Sequence, residues 1–160
     1  MKNEMDHETL FHLVRLTQAS FDPYYGEAWN AAQLAGILTL PTTHALFIDQ
    51  DGNSSVDSND FSVGYALSRR VLDEEELLLF AVEPEFRGRG LGLRLLQDFI
   101  AAARKANLAR VFLEMRVNNS AAALYDRIGF VPHGRRRDYY RCADGTKLDA
   151  LSFTLVLNEG

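Results

Sequence analysis

Arg87-Gly88-Arg89-Gly90-Leu91-Gly92 is the stretch around which this 160-residue sequence organises itself. It follows the almost continuously apolar run Glu76-Leu-Leu-Leu-Phe-Ala-Val82, which reads as a strand covered on both faces. It opens a helical pattern in which Leu91, Leu95, Phe99, Ala102 and Ala106 share one face, while Arg94, Gln97, Asp98, Arg104 and Lys105 point elsewhere. A glycine-rich turn entering a helix offers free backbone N–H groups to an anion, with the positive end of the helix macrodipole behind them. Without Cβ atoms at Gly88, Gly90 and Gly92, a phosphate can come close to the main chain. Glycines also serve tight turns, so the spacing has to be read against known phosphate loops. A P-loop ends in Gly-Lys-Ser/Thr, whereas Gly92 is followed by Leu93-Arg94. A dinucleotide fingerprint is spaced Gly-x-Gly-x-x-Gly, and here the spacing is Gly-x-Gly-x-Gly.

Composition predicts one domain over residues 1–160, large enough for a full core and too small for a second. No apolar stretch approaches a membrane span, and Met1-Lys-Asn-Glu-Met-Asp6 lacks a signal-peptide core. The single cysteine, Cys142, excludes an internal disulfide framework and suits a reducing, cytoplasmic setting. The formal net charge of −5 argues against nucleic acid as the main partner and suits a cationic one. His7, His12, His44 and His133 are scattered and form no zinc-type cluster, so no metal is expected.

Along the chain, Leu10, Leu13, Val14 and Thr17 predict a helix over His7–Ala19 with Asp6 as its N-cap. A second helix is predicted over Trp29–Thr39, ending before Pro41. His44–Asp49 reads as a short strand and Asp51–Asp60 as a polar, mobile loop. Phe61, Val63, Tyr65 and Leu67 alternate with small residues as a strand, turning through Val71–Glu75 into the apolar strand. After the long helix come a strand over Val111–Val117, a short helix opened by Ser120 and capped by Gly129, and strands over Phe130–His133 and Leu148–Asn158.

Two residues stand out chemically. Glu114 is a carboxylate in an otherwise apolar strand, either paired with Arg116 or kept as a general base. Tyr125 follows eleven residues later on the short helix, where Leu124 and Ile128 already supply the packing pair. It either fills the core or serves as an acid, since a phenol titrates near a thiol and can protonate a departing thiolate. Nothing near Cys142 in sequence activates it as a nucleophile, which makes it a bystander.

The turn satisfies Arg/Gln-x-x-Gly-x-Gly/Ala, and in this it resembles the pyrophosphate-binding signature of the GCN5-related N-acetyltransferases (GNAT). Val82-Glu-Pro-Glu-Phe86 is similar to that family's strand exit. Leu113-Glu-Met-Arg-Val-Asn-Asn-Ser-Ala-Ala-Ala-Leu-Tyr-Asp-Arg-Ile-Gly-Phe130 and Arg135-Arg-Arg-Asp-Tyr-Tyr140, with Asp144-Gly145 and Asp149-Ala150, resemble blocks of its RimI branch, the ribosomal-protein-alanine N-acetyltransferases. The likeness spans Val71–Leu157.

The resemblance implies an α/β (α+β) fold with a mixed sheet of about six to seven strands and about four helices. The family's usual first strand has no counterpart in the polar Met1–Met5. It also implies acetyl-CoA as cosubstrate and an amine acceptor, most simply a protein N-terminus, with Glu114 as base and Tyr125 as acid. Cofactor contacts fall on Phe80, Ala81, Val82, Gly88, Arg89, Gly90, Leu91, Gly92, Leu93, Asn119 and Tyr125, with Arg87 heading the motif. Trp29 in Phe21–Trp29, together with Tyr139 and Tyr140 in a loop between the last two strands, is expected to form the acceptor groove. The alternatives are a small amine acceptor (polyamine, amino acid or aminoglycoside) and an acyl-CoA sensor without turnover. Retention of both Glu114 and Tyr125 argues against the sensor. Either a monomer or a homodimer is compatible with the sequence.

Overall fold

The computed structural model describes residues 2–157, with side chains from residue 7 onward. The elements are α1 Lys2–Ser20, α2 Ala31–Leu38, β1 Thr43–Asp49, β2 Ser54–Ser55, β3 Ser62–Val71, β4 Glu74–Val82, α3 Leu91–Lys105, β5 Arg110–Arg116, α4 Ala122–Ile128, β6 Val131–Arg141 and β7 Lys147–Val156. The strands form one sheet in the order β2-β1-β3-β4-β5-β7-β6. Only β4 and β5 run parallel, joined by the α3 crossover; the other neighbours are antiparallel. The mixed sheet with four helices is the predicted fold class.

Helices cover both faces of the sheet. Leu13 and Leu16 of α1 and Leu34 and Ile37 of α2 pack on Phe47, Tyr65, Leu67, Leu79 and Ala81. On the other face, Leu95, Leu96, Phe99, Ile100 and Ala103 of α3 join Val111, Leu113, Tyr125 and Phe130. The stripe of α3 therefore turns slightly from the predicted one: Ala103 is buried, and Ala102 and Ala106 face solvent. Both faces of β3 are covered, so Ser62 and Ser68 are buried along with its apolar residues.

Several boundaries move for local reasons. Helix α1 extends N-terminally past Asp6, which lies inside it rather than capping it. Helix α2 starts later than predicted because Asn30 and Gln33 form a capping box, each side chain accepting from the other's backbone N–H at 2.8 and 2.9 Å. The loop after β1 is tethered: buried His12 contacts Ser58 Oγ (2.8 Å) and Asp60 Oδ1 (3.1 Å), and Ser54 donates to Asp98 (2.7 Å). Ser120 caps nothing; Asn119 Oδ1 accepts from the Ala121 N–H at 2.9 Å instead. Gly129 is the left-handed C-cap of α4, as predicted (φ 111°). Strand β6 runs well past the predicted His133, whereas β7 begins one residue earlier than predicted and ends at Val156; Asn158 lies outside the described residues.

A bulge positions the site. Leu67 faces Leu79 while Ser68 faces Leu77, so Leu78 has no partner on β3. A β-bulge of this kind bends its strand and sharpens the twist. The parallel pairing of β4 with β5 begins at Glu74↔Arg110 and stops at Leu77↔Leu113, next to that bulge. Beyond it, the two strands diverge.

Candidate active site

The divergence of β4 and β5 opens a cleft of about 510 Å³ in the middle of the sheet. Leu78, Leu79 and Phe80 of β4 form one wall and Leu113, Glu114 and Met115 of β5 the other. Glu27–Trp29 from the α1–α2 connection, Tyr125 of α4 and Tyr139–Arg141 of β6 complete it. Main-chain direction alternates along a strand, and the Glu83 N–H goes to Val63 on β3 (2.8 Å). The N–H groups of Phe80 and Val82 therefore face the open side, where no neighbouring strand takes them.

The glycine turn lies at the exit of β4. Gly88 and Gly90 have positive φ (77° and 79°), and a Cβ at either would meet nothing within 4 Å. No described acceptor takes the N–H groups of Gly88, Arg89 or Gly90, and those of Leu91, Gly92 and Leu93 belong to the unpaired first turn of α3. Six amides thus stand at a helix N-terminus with open space before them, and their geometry and charge fit an anion such as a pyrophosphate. The side chains of the predicted contacts behave differently from their backbones. Leu91 and Ala81 are buried in the core, and Gly92 packs beside Phe80 and Leu124. The Arg87 guanidinium donates to Val82 O and Ser20 O, both at 2.8 Å, so it ties the turn to the ends of β4 and α1 rather than facing outward. Arg89 lies over the Phe86 ring at 5.3 Å.

Tyr125 reaches the cleft from α4, where the tight end at Gly129 and the Phe130 N–H bond to Tyr125 O (3.0 Å) fix the helix. Its ring makes edge contacts with Phe80 and Phe130, at 6.2 and 5.5 Å between centroids. Burial, and next the negative charge of Glu27, push its phenol well above the usual tyrosine value. At any working pH it is protonated, and its hydroxyl has no hydrogen-bond partner among the described residues. Tyr140, also in the cleft, is pushed up to about 12 by burial first and then by Glu27.

Glu114 also lines the cleft, but its carboxylate contacts Arg136 of β6 (3.1 Å), not Arg116 as the strand alternation suggested. Arg116 instead binds Glu27 (2.6 Å) and stacks on the Tyr25 ring at 3.6 Å. Asn119 is at the cleft with its amide 3.4 Å from Glu27 Oε2.

One side of the cleft is built by two segments that clasp one another. Ala143 N–H donates to Tyr24 O (2.8 Å), and the Tyr24 hydroxyl donates to Asp144 (3.1 Å). Tyr139 and Tyr140 lie within strand β6, not in a loop as expected, where a register shift between Arg136 and Tyr140 and a positive φ at Asp138 (54°) re-aim them toward the cleft. Trp29 is the predicted aromatic of the α1–α2 segment at the same opening. Gly26 makes the clasp possible: its φ is 65°, and a Cβ would stand 2.8 Å from Arg141 O. Gly26→Ala is therefore expected to destabilise the protein by about 1–3 kcal/mol in a denaturant titration.

Cys142 is buried beside this clasp, outside the cleft lining. Among the described residues no group of three His, Cys, Asp or Glu side chains could hold a metal ion, and no helix is long and apolar enough to cross a membrane. Sequence reasoning missed Glu27 and Arg136. Glu27 follows a glycine in an irregular segment whose partners are 89 and 92 positions away, so no local pattern marks it.

The acetyltransferase (GNAT) family model matches residues 11–130. The ribosomal protein bS18-alanine N-acetyltransferase of Salmonella typhimurium is 34% identical over 136 residues, covering 82% of this chain and 90% of its own length. The Escherichia coli enzyme of the same name is 36% identical over 124 residues, covering 74% and 83%. The crystal structure of the ribosomal-protein-S18-alanine N-acetyltransferase from Escherichia coli superposes with a TM-score of 0.79 at 28% identity, covering 94% of this chain and 89% of that one.

Proposed function

The chain belongs to the GNAT family of N-acetyltransferases, and from that premise we propose that it moves an acetyl group from acetyl-CoA to the α-amino group of a protein N-terminus. An alanine-initiated ribosomal protein, the acceptor that names its relatives, is the first candidate. The observation that supports the reading is the cleft at the β4 bulge, which Tyr125 lines together with Trp29, Tyr139 and Tyr140, with Phe80 packed between Tyr125 and the glycine turn at Gly92.

In this reading the amides of Gly88–Leu93 hold the pyrophosphate, and the pantetheine arm runs between β4 and β5 in place of the missing strand pairing. The outward N–H groups near Val82 stabilise the oxyanion that develops on the thioester carbonyl. Glu114 takes a proton from the acceptor amine, directly or through water. The neutral amine nitrogen then bonds to the acetyl carbon, the C–S bond breaks, Tyr125 protonates the sulfur, and the second proton shed by the nitrogen restores the phenol, directly or through water. A raised phenol pKa does not defeat this step, because a thiolate left in the same buried cleft is penalised by the same desolvation.

The test is turnover with a panel of acceptors: an alanine-initiated basic peptide, its N-acetylated form, and free polyamine, amino acid and aminoglycoside. The unblocked peptide is expected to give the highest kcat/KM, and Tyr139→Ala and Tyr140→Ala to raise its KM while leaving that for acetyl-CoA nearly unchanged. Strict preference for a small amine would move the assignment to the small-molecule branch, and binding of acetyl-CoA without any turnover would make the chain a sensor.

A further inference from the structure

Two carboxylates line the cleft, and they are not equivalent. Glu114 contacts Arg136, whose side chain is 61% exposed. Glu27 is deeper, at 13% side-chain exposure, and its two oxygens are unequally engaged. Oε1 holds Arg116 at 2.6 Å, whereas among the described residues Oε2 has only the long 3.4 Å contact from Asn119. Arg116 is in turn drawn onto the Tyr25 ring, 3.6 Å from its centre. Glu27 touches Arg116 and Asn119 at the end of β5, and it shares the cleft lining with Tyr125 of α4 and Tyr140 of β6.

We infer that Glu27 is the specificity-determining carboxylate of the acceptor site, its Oε2 receiving the incoming ammonium beside Tyr125 and Tyr140. The inference rests on the acetyltransferase reading and adds to it the residue that recognises the acceptor's charge. An ammonium entering a largely buried cleft must recover the hydration it loses, and an anionic oxygen with free lone pairs supplies that. Glu27 lines the same cleft as Tyr125 and Tyr140 and is held there by Arg116 and Asn119. An ammonium held at Oε2 is therefore already beside the acyl-transfer point, and Glu114 is left to take its proton. The acceptor class that fits is an unblocked, cationic primary amine at the end of a slim chain.

Glu27→Gln keeps the side-chain shape and removes the charge. With an alanine-initiated peptide it is expected to raise the acceptor KM by about 10- to 100-fold. The acetyl-CoA Kd should stay unchanged and kcat should fall much less. Glu114→Gln, measured alongside, should show the opposite split, with kcat reduced and acceptor KM little moved. Should Glu27→Gln fail to fold, Glu27→Asp retains the charge but withdraws it by one methylene, and the same rise in acceptor KM is expected. An unchanged acceptor KM in a folded Glu27 variant overturns the inference, as does a KM effect that follows Glu114 instead. A wild-type protein that acetylates no amine removes the underlying reading, an outcome distinct from a competent enzyme indifferent to Glu27.

Discussion

Tyr125→Phe is expected to lower kcat by about 10²- to 10⁴-fold, the range a single general acid contributes. The substitution isolates the hydroxyl because the ring carries the packing: its contacts with Phe80 and Phe130 are edge contacts that phenylalanine reproduces. Since the hydroxyl has no hydrogen-bond partner among the described residues, removing it orphans none of them, and thermal stability should hold or rise slightly. Acetyl-CoA affinity should be nearly unchanged. Stopped-flow or steady-state assays at saturating donor measure the loss directly, and a wild-type kcat in the mutant would reduce Tyr125 to a packing residue. A leaving group more acidic than the CoA thiol should be less sensitive to the change, since it needs the proton less.

Gly90→Asp is expected to abolish useful acetyl-CoA binding, with Kd weakened on the order of 100-fold or more. The carboxylate would stand among the free amides of Gly88–Leu93, where two phosphate charges are to be held. The fold has room for it, because nothing lies within 4 Å of a Cβ at that position. The positive φ of 79° costs a side chain about 1 kcal/mol, which Asp and Asn tolerate better than most. Gly90→Asn is the matched control: it carries the same backbone cost without the charge. Isothermal titration should find Asn moderately weakened and Asp severely so. Equal affinities for Asp, Asn and wild type would exclude the cradle as the phosphate site.

How much was legible beforehand follows from the range of the interactions involved. The apolar strand, the glycine turn and the amphipathic α3 are local patterns, and all three elements stand where the sequence puts them, with the buried stripe of α3 turned onto Ala103. The Gly129 cap is also local, since a helix end needing positive φ selects its residue within one turn. The termini of α1 and α2 were misread where a capping contact, or its absence, outweighed the apolar stripe. The expected strand Phe130–His133 stops short of the full β6 because Arg135–Asp138 has no alternation; pairing with β7 at the sheet edge makes it a strand regardless.

By itself the sequence determined the family, the main helices and strands, the glycine turn and the choice of Glu114 and Tyr125 as candidates. Each of these is written in residues adjacent along the chain or repeated at one helical or strand period. The tertiary structure decided the rest. The bulge at Leu78 is invisible in the run Glu76–Val82, where every position is compatible with an unbroken strand, yet it ends the β4–β5 pairing and so opens the cleft. The partners of the two carboxylates were likewise undetermined. Arg116 pairs across 89 residues with Glu27, leaving Glu114 to Arg136, because pleat, twist and the clasp around Gly26 fix which charges meet. Electrostatic pairing depends on distance through space, and the chain writes only distance along itself.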